Sequence, residues 1–387
     1  MSIAFEFATA ARVVYGPGRL AEAPELARGL GATRVLLVTG KDGARAQPLR
    51  EGLGRLGIVT TDFAVDGEPT VELAREGTAR AVAARCDAVV AMGGGSALDA
   101  GKAIAALAAN GGDPLDYLEV IGRGQPLTRP SLPFLALPTT AGTGSEVTRN
   151  AVLGSKESRV KASLRSPHML PRVALVDPDL LQGAPPAVLA AGGLDALSQL
   201  IEPFVSARAN PVTDALAREG IRRSARSLRA AVLEGLDAPR REDLALASLL
   251  GGLCLANAGL GAVHGFAAPL GGMLGAAHGA LCAALLGATL EVNLHALRTR
   301  APQHSALPRF QEVAVLLTGR AEARAEDGIA WVRELVHALR VPGLGAQGLT
   351  DADVPTLVEK ARAASSMKAN PLPLTDSELR ELVTRSM

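Results

Sequence analysis

Asp195 and Gln199 stand four residues apart in the run Gly192-Gly193-Leu194-Asp195-Ala196-Leu197-Ser198-Gln199. On a helix this spacing puts both side chains on one face, with Glu202 three residues further along. Two histidines lie in glycine-rich, apolar segments, Gly261-Ala262-Val263-His264-Gly265 and Ala276-Ala277-His278-Gly279. One histidine in such surroundings is ordinarily a core residue with its hydrogen bonds met. Two of the chain's six, both beside small residues and joinable to a helical aspartate, make a candidate ligand set. Its oxygen and nitrogen donors suit Fe(II), Zn(II) or Mn(II).

Two glycine loops suggest a second chemistry. Gly93-Gly94-Gly95-Ser96-Ala97-Leu98-Asp99-Ala100-Gly101-Lys102 follows a β-like run and opens a helix. Glycines let the backbone approach a phosphate, and a helix N-terminus presents free N–H groups at its positive end. The run is neither GxGxxG nor a Walker loop, and a plain strand–helix turn capped by serine is the competing reading. The second loop, Pro138-Thr139-Thr140-Ala141-Gly142-Thr143-Gly144-Ser145-Glu146-Val147-Thr148, also follows a strand-like run. Its small hydroxyl residues suit a pocket wall near a cofactor, and equally an ordinary capped turn.

The elements that must carry these groups fall into two kinds. Apolar runs at 34–39, 87–92, 134–137 and 173–176 each end in Gly, Pro or Asp-Pro, as buried parallel strands do. Helical spacing between them, as at 71–86, implies an open α/β sheet. After about residue 183 the chain turns Ala/Leu/Arg-rich, and segments 187–204, 211–233, 240–258 and 309–339 read as helices. The expected organisation is an α/β dinucleotide-binding domain over residues 1–183, with a parallel Rossmann-like sheet, and an all-α metal and substrate domain over 184–387.

Composition removes several function classes. The 387 residues are 48% apolar and 20% charged, so a folded core is expected. Forty Lys+Arg against 39 Asp+Glu leave a formal charge of +1, without the footprint of a nucleic-acid or membrane-surface binder. Three scattered cysteines without a CxxC argue against a disulfide framework or zinc ribbon and favour a reducing cytoplasm. The start MSIAFEF has no signal-peptide pattern. The longest apolar run, residues 281–290, is too short to span a bilayer, and a soluble protein is expected.

Taken together, these motifs resemble the iron-containing (group III) alcohol dehydrogenase family, whose fold is dehydroquinate synthase-like. Residues 7–18 resemble the family's opening hairpin, and GGGSALDAGKAIA at 93–105 its pyrophosphate-binding motif. PTTAGTGSEVT at 138–148 is the most specific match. LANAGLGAVHG at 255–265 and AAHGA at 276–280 resemble the two metal-histidine segments, and Asn370-Pro371 a C-terminal Asn-Pro. The resemblance implies an NAD(P)-dependent oxidoreductase, a homodimer, with cofactor and metal between its domains. It implies pyrophosphate binding by Gly94, Gly95 and Ser96, with Asp99 and Lys102 shaping the same helix start. Thr139, Thr140, Thr143 and Ser145 would line the nicotinamide side, and Lys161 would reach the ribose. Asp195, His264 and His278 would be metal ligands and, with Lys161, the catalytic set.

Three positions depart from the family pattern. Gln199 stands where a ligand histidine is usual, and a neutral amide is a weaker donor, so lower metal affinity or a changed metal preference is expected. Ala268 stands where a second histidine usually relays protons. Gly40 replaces an acidic residue that would repel a 2′-phosphate, and Lys41 and Arg45 follow it, which favours acceptance of NADP as well as NAD. The function expected is reversible hydride transfer between a small alcohol and its aldehyde or ketone, assisted by Fe(II) or Zn(II). Three alternatives stay open: a maleylacetate-reductase-like enzyme using Arg149 or Arg165, a dehydroquinate synthase-like lyase, and a catalytically silent nucleotide-binding protein.

Overall fold

The structure, a computed structural model, describes residues 4–155, 157 and 160–387. It divides into two compact units, Ala8–Gln182 and, with residues 4–7, Gly183–Met387.

The first unit carries strands β1 (Arg12–Tyr15), β2 (Arg34–Gly40), β3 (Val59–Val65), β4 (Ala88–Gly93), β5 (Phe134–Pro138), β6 (Asn150–Ser155), β7 (Val160–Arg165) and β8 (Val173–Val176). Its helices are α1 (Ala23–Gly29), α2 (Gln47–Arg55), α3 (Val71–Ala83), α4 (Gly95–Asn110) and the short α5 (Pro114–Tyr117). Six strands form one sheet in the order β1-β8-β5-β4-β2-β3, every pair parallel. β6 and β7 form a separate antiparallel hairpin.

Alternation along each strand explains why both faces are covered. On β2, Val35 and Leu37 face Ala23 and Ala27 of α1 and Leu49 and Leu53 of α2. Leu36 and Val38 point the other way, into a cluster with Ala81 of α3 and Leu98 and Ile104 of α4. The chain leaves β2 for β3 on one side and returns to β4 on the other. Strand order therefore reverses between β2 and β4, and the crevice beyond their carboxyl ends, at Gly40 and Gly93, is where open α/β sheets take ligands.

The four apolar runs recognised in the sequence are β2, β4, β5 and β8. β3 is missing from that reading because it is an edge strand: Val59-Thr60-Thr61-Asp62 is largely exposed and polar. The opening hairpin expected at 7–18 is corrected as well. Only Arg12–Tyr15 is a strand there, and its partner is β8, in parallel.

The second unit is helical: α6 (Pro186–Val205), α7 (Pro211–Leu233), α8 (Ala238–Ala258), α9 (Ala262–Leu274), α10 (His278–Arg300), α11 (Leu307–Thr318), α12 (Ala325–Ala338), α13 (Val354–Ala363) and α14 (Asp376–Ser386). The single helix expected at 309–339 is two, because Gly319 adopts the left-handed conformation (φ 72°) that ends α11. α6 and α10 are long and apolar enough to cross a membrane, contrary to the reading from uninterrupted apolar runs. Here 83% and 78% of their apolar windows are buried inside the protein. α8 and α9 meet at a bend of 100° over the intervening glycines, which aims the start of α9 back toward α6.

Candidate functional site

In the α/β unit, the two glycine loops are packed against each other. A Cβ on Gly95 would lie 2.5 Å from Thr143 Cγ2, so only glycine allows this approach. Helix α4 starts at Gly95 after a Gly94 N-cap that offers no side chain, so its first amides have no intrahelical partner. They face the end of the sheet at the β2–β4 reversal, where an anion would be held by N–H groups and the helix dipole.

Asp99 and Lys102 hold the second loop in place. Lys102 is fully buried, and its ammonium donates to Ser145 O (2.9 Å), Thr148 Oγ1 (2.8 Å) and Asn150 O. Asp99 lies 3.2 Å from the same nitrogen and accepts from Ser145 Oγ (2.5 Å) and Val152 N (2.9 Å). Lys102, Asp99 and Ser145 thus direct these polar groups inward, at the loop. Burial lowers the Lys102 pKa, but three acceptors and a carboxylate around three donors fit an ammonium. Glu146, buried next to this clamp, cannot share those donors, and burial raises its pKa to about 7.

Lys161 sits on β7 with Nζ 3.4 Å from Glu68 Oε1. Lys41 pairs with Asp66 at 2.9 Å in solvent, and Arg45 donates to the carbonyls of Leu180 (2.6 Å) and Gln182 (3.2 Å). Gly40 has open space beyond its Cα.

In the helical unit, Asp195 from α6, His264 from α9 and His278 and Cys282 from α10 converge. One donor atom from each lies within 4.8 Å of all the others. Asp195 Oδ1 is 3.2 Å from His264 Nε2 and 3.8 Å from His278 Nε2. Cys282 Sγ is 3.6 Å from His278 Nε2 and 3.8 Å from His264 Nε2. A tetrahedral ion with bonds of about 2.0–2.3 Å would separate its donors by roughly 3.3–3.7 Å, so the set fits a divalent cation.

His264 is aimed by an outer partner. Glu202 Oε2 lies 2.6 Å from its Nδ1, and Glu202 Oε1 accepts the Val263 amide at 2.7 Å. A proton on Nδ1 shared with Glu202 leaves Nε2 to face Asp195. The next amide, Ala262 N, donates to Asn370 Oδ1 at 3.1 Å, and Asn370 and Asn293 hydrogen-bond each other. Glu202 and Asn370 therefore cap α9 in place of its N-cap, Gly261. A Cβ at Gly261 would lie 2.8 Å from Glu202 Oε1 and 2.9 Å from Asn370 Oδ1.

The field at this cluster is negative. Burial disfavours a charged imidazole, yet the neighbouring Cys282, Asp195 and Glu202 outweigh it, and His264 keeps its second proton well above the ordinary range. His278 is raised to about 9 against the same burial, by Cys282 and Asp195. The Asp195 pKa is lowered although burial opposes this, because His278, His264 and a hydrogen bond from Gln199 outweigh it. A divalent cation answers the same field that otherwise retains these protons.

The structure gathers three of the four residues expected to bind metal around common donor atoms. The fourth, Gln199, is buried on the same face of α6, and its Oε1 has no hydrogen-bond partner. Cys282 and Glu202 are the members that the sequence reading did not assign. The i, i+4 spacing from His278 was the available signal for Cys282, and the i+7 spacing from Asp195 the signal for Glu202.

Residues 10–178 match the family "Iron-containing alcohol dehydrogenase", and residues 189–387 match "Fe-containing alcohol dehydrogenase family, C-terminal". The chain is 37% identical to 1,3-propanediol dehydrogenase of Klebsiella pneumoniae, over 94% of each protein. It is similar to the crystal structure of a 1,3-propanediol oxidoreductase (TM-score 0.91, 35% identity, 100% of both chains). It also resembles sulfoacetaldehyde reductase from Bifidobacterium kashiwanohense, solved with NAD+ (TM-score 0.87, 29% identity, 99% and 98% of the chains). The fold, a parallel Rossmann-like sheet and a helical unit with convergent metal-type donors, is that of an NAD-dependent, metal-assisted oxidoreductase acting on alcohols and aldehydes. The chain belongs to the iron-containing alcohol dehydrogenase family. Membership decides against the lyase and silent-binder alternatives.

Two predictions follow from this geometry. Glu202→Gln leaves an amide that cannot accept from both His264 and Val263, so metal affinity measured by competition with a chelator should fall about 10- to 100-fold; unchanged affinity would remove Glu202 from the site. The raised pKa of Glu146 means the folded state holds a proton that the unfolded state releases above about 4.5. Its contribution is complete below that pH and is lost as pH rises through about 7, a change on the order of 3 kcal/mol. Glu146→Gln should flatten urea-measured stability between pH 5 and 8 relative to the parent, whereas parallel curves would show that Glu146 ionises freely.

Proposed function

We propose that the protein interconverts a short primary alcohol and its aldehyde, with the dinucleotide on the α/β unit and the metal in the helical unit. The observation that carries this reading is the approach of His264 Nε2 and His278 Nε2 to one oxygen of Asp195, at 3.2 and 3.8 Å. The name of the Klebsiella relative supports a small, uncharged substrate. Arg165, one of the two residues weighed for a carboxylate substrate, is half-exposed and faces Glu119 at 3.5 Å.

When bound, NAD(P) carries the hydride and the metal, Fe(II) or Zn(II), acts as Lewis acid on the alcohol or carbonyl oxygen. Asp195, His264 and His278 hold the ion, and Glu202 fixes the imidazole that faces it. The amides of Gly94, Gly95 and Ser96 bind the pyrophosphate, Thr139, Thr140 and Thr143 line the nicotinamide side, and Lys161 reaches the ribose. Ala268 has no group to carry a proton, so the alcohol proton leaves by another route: the cofactor ribose, water or another side chain.

NADP is accepted beside NAD, because Gly40 presents no carboxylate to a 2′-phosphate. The cytoplasm as compartment is supported by Cys86, Cys254 and Cys282, none of which is paired in a disulfide. A homodimer rests on the family resemblance.

The test is an aldehyde panel followed by NADH and NADPH oxidation. Asp195→Ala and His264→Ala should each lose at least about 1,000-fold in kcat/KM, the scale of lost Lewis-acid stabilisation. Full activity in either variant with metal stripped would overturn the metal-assisted mechanism. Gly40→Asp, whose side chain has room, should raise KM for NADPH about ten-fold or more and change KM for NADH less. An equal effect on both would place residue 40 away from the 2′ position.

A further inference from the structure

We propose that Cys282 is a metal ligand, bound as thiolate, beside Asp195, His264 and His278. The metal centre is then an Asp/His/His/Cys site that favours Zn(II) over Fe(II). This rests on the metal reading above and adds a donor and a preference that the family resemblance does not supply.

Four observations converge on Cys282. It is buried, and α10 places it one turn beyond His278 on the same face. Its sulfur approaches both ligand nitrogens, at 3.6 and 3.8 Å, close to the separation of neighbouring donors on one ion. It belongs to the one set of His, Cys, Asp and Glu donors, among the described residues, with ligand atoms so gathered. No step of the proposed reaction otherwise uses it.

Gln199 on α6 stands where the resemblance expects an imidazole, and a neutral amide is a weaker donor. Its Oε1 is buried without a hydrogen-bond partner. Cys282, on α10, adds to the set a donor that carries charge once deprotonated.

As the sulfur–metal bond forms, the S–H bond breaks and its proton passes to solvent, with no change in oxidation state. A thiolate is a soft donor. Exchanging imidazole for thiolate shifts preference toward Zn(II), and toward Co(II) as its spectroscopic substitute, away from harder ions such as Mn(II).

The experiment uses the full-length protein, stripped with a chelator and titrated with Co(II) while its absorption spectrum is recorded. The parent protein should show the visible d–d bands of a four-coordinate ion together with a near-ultraviolet thiolate-to-cobalt charge-transfer band. In Cys282→Ser the charge-transfer band should vanish while d–d bands persist. Zn(II) affinity should drop by at least the roughly 10- to 100-fold that an outer partner is worth. Gln199→Ala should retain the charge-transfer band. Co(II) uptake with d–d bands but no charge-transfer band in the parent protein, or a band that survives Cys282→Ser, overturns the thiolate assignment alone. No Co(II) uptake by the parent protein overturns the metal reading beneath it. The parent spectrum decides the matter even if a variant fails to fold.

Discussion

The carboxylate of Glu202 is the contact on which the helical unit's chemistry depends. One oxygen accepts the Val263 amide and the other meets His264 Nδ1, so a single side chain ends the bend between α8 and α9 and sets the imidazole's tautomer. A buried helix start must satisfy its orphan amides, and a buried histidine must place its proton. Both requirements are met together, and the result is an Nε2 directed at Asp195. Asn370, from the far end of the chain, takes the neighbouring amide and fixes the same helix start against α10 through Asn293.

The α/β unit uses the same device with opposite sign. There a buried ammonium, Lys102, gathers a carbonyl and a hydroxyl from the second glycine loop and a carbonyl from the start of β6, and Asp99 binds the same two segments from the adjacent turn of α4. The cost of burying each charge is met by making it a multiple hydrogen-bonding centre. The amides that open α4, at the reversal point of the sheet, have no side-chain cap. The buried charges Lys102, Asp99 and Glu202 thus fasten the backbone that surrounds the candidate ligand groups.

Much of this was legible in the sequence, for physical reasons. Buried parallel strands are continuous apolar runs, so β2, β4, β5 and β8 declared themselves, while the half-polar edge strand β3 did not. The convergence of His264 and His278 was readable because the chain has only six histidines, and Asp195 because a helical carboxylate stands in a glycine-flanked run that could join them. Cys282 was not, because a buried cysteine in an apolar helix has the same local pattern whether it packs or ligates. Lys102 and Asp99 read as parts of a phosphate loop, and only the fold reveals that their bonds run inward. Glu202 was visible as a helical neighbour, but its partner lies 62 residues away, a separation that periodicity does not report.

The proposed metal ion between groups from α6, α9 and α10 is tested most directly by anomalous X-ray diffraction at the absorption edges of iron and zinc, on crystals of the protein purified without chelator. A single anomalous peak per chain is expected, within bonding distance of Asp195 Oδ1, His264 Nε2 and His278 Nε2. An ion-free cluster after growth with excess Zn(II) or Fe(II), or a peak ligated elsewhere in the chain, would contradict it.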